Sequence, residues 1–122
     1  MTYGSLGSGI LTGKYTKRPT FMKHDARAYF YPYYKEPHWS LARRLVAQLN
    51  EIAVEKGVPV AQVALNWITQ QPGISTAIAG ARTPEQVKMN AAACEWVLSE
   101  DDINRIKIAS KRIFTGNEKQ KP

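Results

Sequence analysis

Apolar residues recur at helical spacing along much of this chain. Leu41, Leu45, Leu49 and Ile52 share one face of a helix that the pattern places between a Ser40 cap and about Lys56, with Gly57 as its stop. Val60, Val63, Ala64, Trp67 and Ile68 form a second stripe, with Pro59 near its first turn and Pro72-Gly73 ending it. Ile103, Ile106, Ala109 and Ile113 form another, opened by Ser99-Glu-Asp-Asp102, whose acids suit a helix start. Lys111 and Arg112 stand near its end and Gly116 just beyond. Ile74 to Ala79 breaks the helical period. It is a short, nearly unbroken apolar run, the pattern of a parallel strand buried on both faces. A further helix is predicted from Thr83-Pro84-Glu85-Gln86, which combines capping-box spacing with proline at the first helical position.

The first residues, up to Lys14, are predicted as the end of a strand entering a loop with Gly4, Gly7, Gly9 and Gly13. Residues 15–38 carry Pro19, Pro32 and Pro37 and show no period. A connection of that length is a functional or partner-covered loop more often than a spacer. Its aromatic run, Tyr29-Phe30-Tyr31-Pro32-Tyr33-Tyr34, fits a substrate-loop wall, a packing patch, or a surface covered by further structure. The tail from Asn117 to Pro122 is polar and expected to be loose. The order strand, helices, strand, helices fits two consecutive βα units of a larger parallel sheet. Two parallel strands do not make a stable sheet alone, so the pattern reads as part of a fold.

Composition narrows the function classes. The 122 residues are 43% hydrophobic and 22% charged, as in a globular domain rather than a disordered one. No apolar run approaches the roughly 20 residues of a membrane span, and no signal-peptide pattern opens the chain. Cys94 is the only cysteine, which excludes an internal disulfide and favours a reducing, cytoplasmic setting. The net charge of +7 raises the question of nucleic acid. Its distribution argues otherwise: residues 1–38 carry six Lys/Arg against two acids, residues 105–122 six against one, and the middle five against seven. The excess lies at both ends rather than along one helix, and no nucleic-acid motif is present. A basic cleft for a phosphorylated ligand accounts for part of it.

The strongest chemical signal is the segment Ala79-Gly80-Ala81-Arg82-Thr83-Pro84. A strand, a short loop bearing a cation and a helix start make an anion site. Backbone N–H groups and the positive helix end favour a phosphate, and arginine pairs with it through two parallel bonds. Thr83 and Gln86 read equally as a capping box, and the two roles are compatible. His24 and His38 lie in the polar loop with no second ligand at metal-site spacing, so surface roles are expected and no metal is assigned. Cys94 is expected to be a buried small hydrophobe, and Trp67 and Trp96 core residues.

Tyr3 to Lys14, the run Ile52-Ala53…Gly57…Ala61-Gln-Val-Ala-Leu-Asn-Trp67, Ile78 to Asn90 and Trp96-Val-Leu-Ser-Glu-Asp-Asp102 together resemble the aldo-keto reductases. The specificity lies in their order and spacing. The resemblance implies an α/β fold, part of a (β/α)8 TIM barrel of about 250 residues with its site at the C-terminal strand ends. Residues 1–122 then correspond to a C-terminal fragment of about the last two βα units, helix-rich with two short parallel strands. The resemblance also implies NADPH as cofactor. Tyr3 matches the aromatic residue that stacks on the nicotinamide. Gly4, Ser5, Leu6, Gly7 and Ser8 match the loop around the pyrophosphate, Leu6 by packing at the cofactor. Gly80 and Arg82 match the loop and clamp for the 2′-phosphate, Thr83 adds a hydroxyl, and Gln86 and Asn90 match adenosine contacts. The departures from the family pattern are Gln86, where some branches carry arginine, and Met89, where some carry glutamate.

The activity implied is carbonyl reduction by hydride transfer, with a tyrosine as proton donor assisted by lysine, aspartate and histidine on earlier strands. No residue of this chain matches those positions, and no catalytic residue is assigned. A carbonyl substrate is therefore expected only when the rest of the barrel completes the site, through a complementing chain or a homo-oligomer. The alternative is a non-catalytic module that binds NADPH or a protein and self-associates. No nucleic-acid or membrane partner is expected.

Overall fold

The computed structural model describes the backbone of residues 1–118 and the side chains of residues 1–112. Four helices carry the fold: α1 (His38–Lys56), α2 (Val60–Thr69), α3 (Pro84–Ala91) and α4 (Glu100–Glu118). Short 3₁₀ turns at Gly7–Thr12, Ala26–Ala28, Pro32–Tyr34 and Ala92–Cys94 fill the connections. Among the described residues no helix is long and apolar enough to cross a membrane.

α1 is the shared wall. It packs on α4, on α2 and on the 3₁₀ turns at Gly7–Thr12 and Pro32–Tyr34. Leu49, Ile52 and Ala53 meet Val63 and Ala64 of α2, Leu98, and Ile106 of α4 in the main core. Trp39 and Ala42 meet Ile10 and Tyr34 in a satellite core. The buried face of α1 runs through Trp39, Ala42, Val46 and Leu49, so the predicted Leu41 and Leu45 lie at its margin, half-buried. The helix also starts before Ser40. Pro37 takes the cap position, and the Glu36 carboxylate accepts from the Ser40 N–H (3.3 Å) and hydroxyl (3.0 Å), satisfying a free donor of the first turn. Gly57 ends it in the left-handed conformation (φ 67°), as expected.

α4 opens as its sequence signals. The Ser99 hydroxyl accepts from the Asp102 N–H (3.2 Å), and the Asp102 carboxylate accepts from the Ser99 N–H (3.4 Å). Asp102 is buried and also takes Lys56 Nζ of α1 at 3.0 Å. Burial pushes its pKa up, but the hydrogen bonds from Lys56 and Ser99 outweigh this and hold the carboxyl below its ordinary value. The helix continues through Gly116 to Glu118 instead of stopping before it. The expected core position Ile113 lies outside the described side chains. Asn117 falls within the helix, and residues 119–122 of the expected loose tail lie outside the described residues.

The two expected strands are present as one parallel bridge between Thr2 and Ala77. The Thr2 N–H donates to Thr76 O (2.9 Å), and the Ile78 N–H donates to Thr2 O (2.8 Å). Pairing goes no further among the described residues. Ile74–Ala79 is half-exposed rather than buried, with Ile78 at 48%. A strand is completed by neighbours on both edges and cover on both faces, and this segment meets a partner only at the bridge. The segment around Cys94 also departs from expectation. It forms a 3₁₀ turn that leaves Cys94 exposed and buries Ala93 instead.

Candidate functional site

Parallel pairing at Thr2 and Ala77 sends both chains out at the same end of the bridge. The loop starting at Tyr3 and the loop starting at Gly80 therefore emerge side by side, where α/β folds place their ligands. Tyr3 stands 89% exposed at the head of the first loop.

That loop is an unusual piece of backbone. Gly7 (φ 55°), Ser8 (φ 55°) and Gly9 (φ 101°) are successive residues with positive φ, and Ser8 is the one non-glycine residue of this kind among the described residues. Its left-handed conformation costs about 1–2 kcal/mol. A Cβ on Gly7 would stand 2.9 Å from Ile10 Cγ2, so any other residue there would have to displace the buried Ile10 side chain. A Cβ on Gly9 would lie 3.7 Å from the Lys14 ammonium, which folds back over the turn and rests on the Tyr15 ring at 4.9 Å. The turn uses the N–H groups of Gly7 and Gly9, which donate to Gly4 O (2.8 Å) and Leu6 O (3.0 Å). Those of Ser5 and Leu6 have no backbone acceptor among the described residues. Ser5 is buried with its hydroxyl 3.5 Å from that of Thr2, and Leu6 packs against the main core.

The second loop is braced by the helix that follows. Thr83 caps α3, its hydroxyl accepting from the Gln86 N–H (3.2 Å). Gln86 Oε1 accepts from the Arg82 N–H (2.7 Å), one residue short of the usual capping box. Asn90 Nδ2 donates to Gly80 O (3.3 Å), and its Oδ1 is buried without a partner among the described residues. Gln86 and Asn90 thus hold the shape of Gly80–Arg82 from one helix face. The Arg82 side chain is exposed, and with Lys88 it lines an open depression shared with Ala81, Thr83, Pro84 and Val87.

Several positioning residues were not singled out in the sequence. Gln62 and Asn66, both buried on α2, clamp the end of α3 and the chain beyond it. Gln62 Nε2 donates to Met89 O (2.9 Å), and its Oε1 accepts from Trp96 Nε1 (3.2 Å). Asn66 Nδ2 donates to Ala93 O (2.9 Å) and Trp96 O (2.6 Å), and its Oδ1 accepts from the Leu98 N–H (3.2 Å). Two amides four apart on an otherwise apolar helix were the available signal. Asp25 and Arg27 form a second unforeseen pair. Arg27 Nε meets both Asp25 oxygens (2.9 and 3.1 Å), its Nη1 donates to the Tyr15 hydroxyl (3.0 Å), and its guanidinium covers the Phe21 ring at 4.4 Å. The hydrogen bonds from Arg27 pull the Asp25 pKa down to about 2, and Arg82 adds to that lowering. The aromatic run divides. Tyr34 is buried against Tyr15, Phe21 and Trp39, whereas Tyr29 and Phe30 are exposed.

The model of the Aldo/keto reductase family matches residues 1–111. The chain is 36% identical over 103 residues to Aldo-keto reductase YhdN of Bacillus subtilis (strain 168), covering 84% of this chain and 31% of that protein. It is 32% identical over 117 residues to Protein tas of Escherichia coli (strain K12), covering 94% and 32%. It is 36% identical over 99 residues to a probable voltage-gated potassium channel subunit beta of Arabidopsis thaliana, covering 79% and 30%. Among solved structures, the glycerol dehydrogenase AKR11B4 from Gluconobacter oxydans matches with a TM-score of 0.80 at 28% identity, covering 90% of this chain and 33% of that one. The chain belongs to the aldo/keto reductase family. It spans about a third of the length of these relatives.

Proposed function

We propose that this chain is the cofactor-binding third of an NADPH-dependent aldo-keto oxidoreductase, corresponding to the last two βα units of a (β/α)8 barrel. The observation that carries the reading is the parallel bridge at Thr2 and Ala77, which delivers the glycine loop and the Arg82 loop to one end. The residues present fit a dinucleotide phosphate. A bare glycine turn lies under the Lys14 ammonium, and an exposed arginine stands at the start of a capped helix.

In this reading Arg82 and the Thr83 hydroxyl hold the 2′-phosphate, the N–H groups of Ser5 and Leu6 face the pyrophosphate, and Gly7 and Ser8 shape the turn. Tyr3 offers its ring to the nicotinamide. Gln86 and Asn90 hold the Gly80–Arg82 loop and border the adenosine. The cofactor would supply a hydride to a carbonyl carbon. The proton donor and its supporting residues come from the preceding part of the barrel, and no residue of this chain is assigned to catalysis. The isolated chain is accordingly expected to show no carbonyl reductase activity. NADPH oxidation that tracks added aldehyde and is lost in Tyr3→Phe would overturn that assignment.

The direct test is titration with NADPH, and with NADH as control, by tryptophan fluorescence and calorimetry. Saturable binding that prefers NADPH supports the reading. No binding to the folded chain would leave family membership intact and remove the cofactor role from this chain alone. The alternative, a self-associating binding module, is favoured by the exposure of Tyr3 and Ile78 beside the bridge.

A further inference from the structure

We propose that Tyr34 is a positioning residue for the phosphate loop, holding Ser8 in its left-handed conformation through its hydroxyl. The inference rests on the cofactor reading above for its consequence, but not for its geometry. The Tyr34 hydroxyl donates to Ser8 O at 2.9 Å across 26 residues of chain. Ser8 is the residue whose backbone has the least intrinsic reason to be where it is, with φ 55° and ψ 31° between two positive-φ glycines. Glycine carries no penalty for positive φ, so the cost of this run falls on Ser8, and a tether at Ser8 offsets it.

Tyr34 is suited to be that tether. It is 5% exposed, and its ring is fixed edge-on to Phe21 (4.7 Å) and Tyr15 (5.7 Å) and stacked on Trp39 at 6.4 Å. Trp39 belongs to α1, so the tether runs from the helical core to the turn. Ile10, 4% exposed in the same satellite core, is the apolar anchor two residues further on. Burial pushes the Tyr34 pKa upward, which keeps the hydroxyl a donor throughout the physiological range. The aromatic run is thus a lock on the loop rather than only a surface: its last residue reaches in while Tyr29 and Phe30 face out.

Tyr34→Phe removes the hydroxyl and keeps the ring, so the satellite core stays packed. Ser8→Gly removes the penalty that the tether offsets. The full chain, both variants and the double variant are compared by backbone amide exchange and by NADPH and NADH affinity. In Tyr34→Phe, exchange is expected to rise at Gly7–Leu11 and stay unchanged in α2 and α4. Affinity for both cofactors is expected to fall alike, by roughly five- to tenfold, the worth of one neutral hydrogen bond. Adding Ser8→Gly should restore most of that loss. A Tyr34→Phe chain with wild-type exchange at Gly7–Leu11 overturns the proposal. So does a rise spread evenly over the chain, or an affinity loss that Ser8→Gly leaves untouched. If the wild-type chain binds neither cofactor, the cofactor reading fails separately, and a rise confined to Gly7–Leu11 still establishes the tether.

Discussion

Arg82 stands exposed where α3 begins, with its own N–H taken by Gln86 and its guanidinium making no hydrogen bond among the described residues, its charge acting on Asp25 from a distance. A charge-assisted pair with a phosphate is worth about 1.5–3 kcal/mol, so Arg82→Ala should weaken NADPH binding by roughly 10- to 100-fold. NADH lacks the 2′-phosphate and should lose little. Competition titrations of the two cofactors decide this, and equal losses would remove Arg82 as the clamp. Asp102 makes a different prediction, on stability. Its carboxyl is held below the ordinary value by Lys56 and Ser99 against the opposing effect of burial. A lowered carboxylate stabilises the fold above its unfolded pKa of about 3.9, and that contribution is lost as pH falls through the folded pKa. Asp102→Asn should therefore cost about 1–3 kcal/mol at pH 7 and flatten the acid limb of the stability curve below about pH 4. Urea melts from pH 7 to pH 2.5 measure both. An unchanged acid limb would mean that Asp102 contributes no charge-dependent stability.

At the scale of elements, α2 holds the end of α3 and the chain that follows it through its two buried amides. Asn66→Ala leaves the Leu98 N–H and the Ala93 and Trp96 carbonyls without their partner, at a cost of about 2–3 kcal/mol. Thermal melts should show a fall of several degrees, whereas the exposed cap Thr83→Ala should cost only about 1 kcal/mol. Equal effects would mean that the clamp is no stronger than a surface cap. What was legible in the sequence follows the same division between local and distant causes. The caps of α3 and α4 and the glycine stop of α1 were legible because each is set within four residues. The start of α1 was not, because Glu36 satisfies the first turn from outside the apolar pattern. Tyr34 and Asn66 were not, because their partners lie 26 and about 30 residues away. Ile74–Ala79 carried the right strand signal, yet a strand is made by its neighbours, and here it pairs at one residue. Cys94, expected to be buried, is exposed because the chain leaves α3 in a 3₁₀ turn.

At the scale of the molecule, the same bridge that assembles the site leaves backbone to be paired. Among the described residues the two short parallel segments pair at one residue only, with Tyr3 89% and Ile78 48% exposed beside the bridge. Unpaired edges flanked by apolar side chains recruit further strands. For this chain by itself, the expected consequence is self-association. Sedimentation at concentrations from one to a hundred micromolar should show the mean mass rising with concentration. A lysine at Ile78 adds charge at the edge without touching the main core, in which Ile78 takes no part. Ile78→Lys should therefore shift the population back toward monomer and leave the helical circular dichroism unchanged. A single monomer boundary for the wild-type chain across that range would show that these edges are quiet in water. A lysine variant that associates as strongly as wild type would place the contact elsewhere, the exposed aromatic residues Tyr29 and Phe30 being the next surface to test.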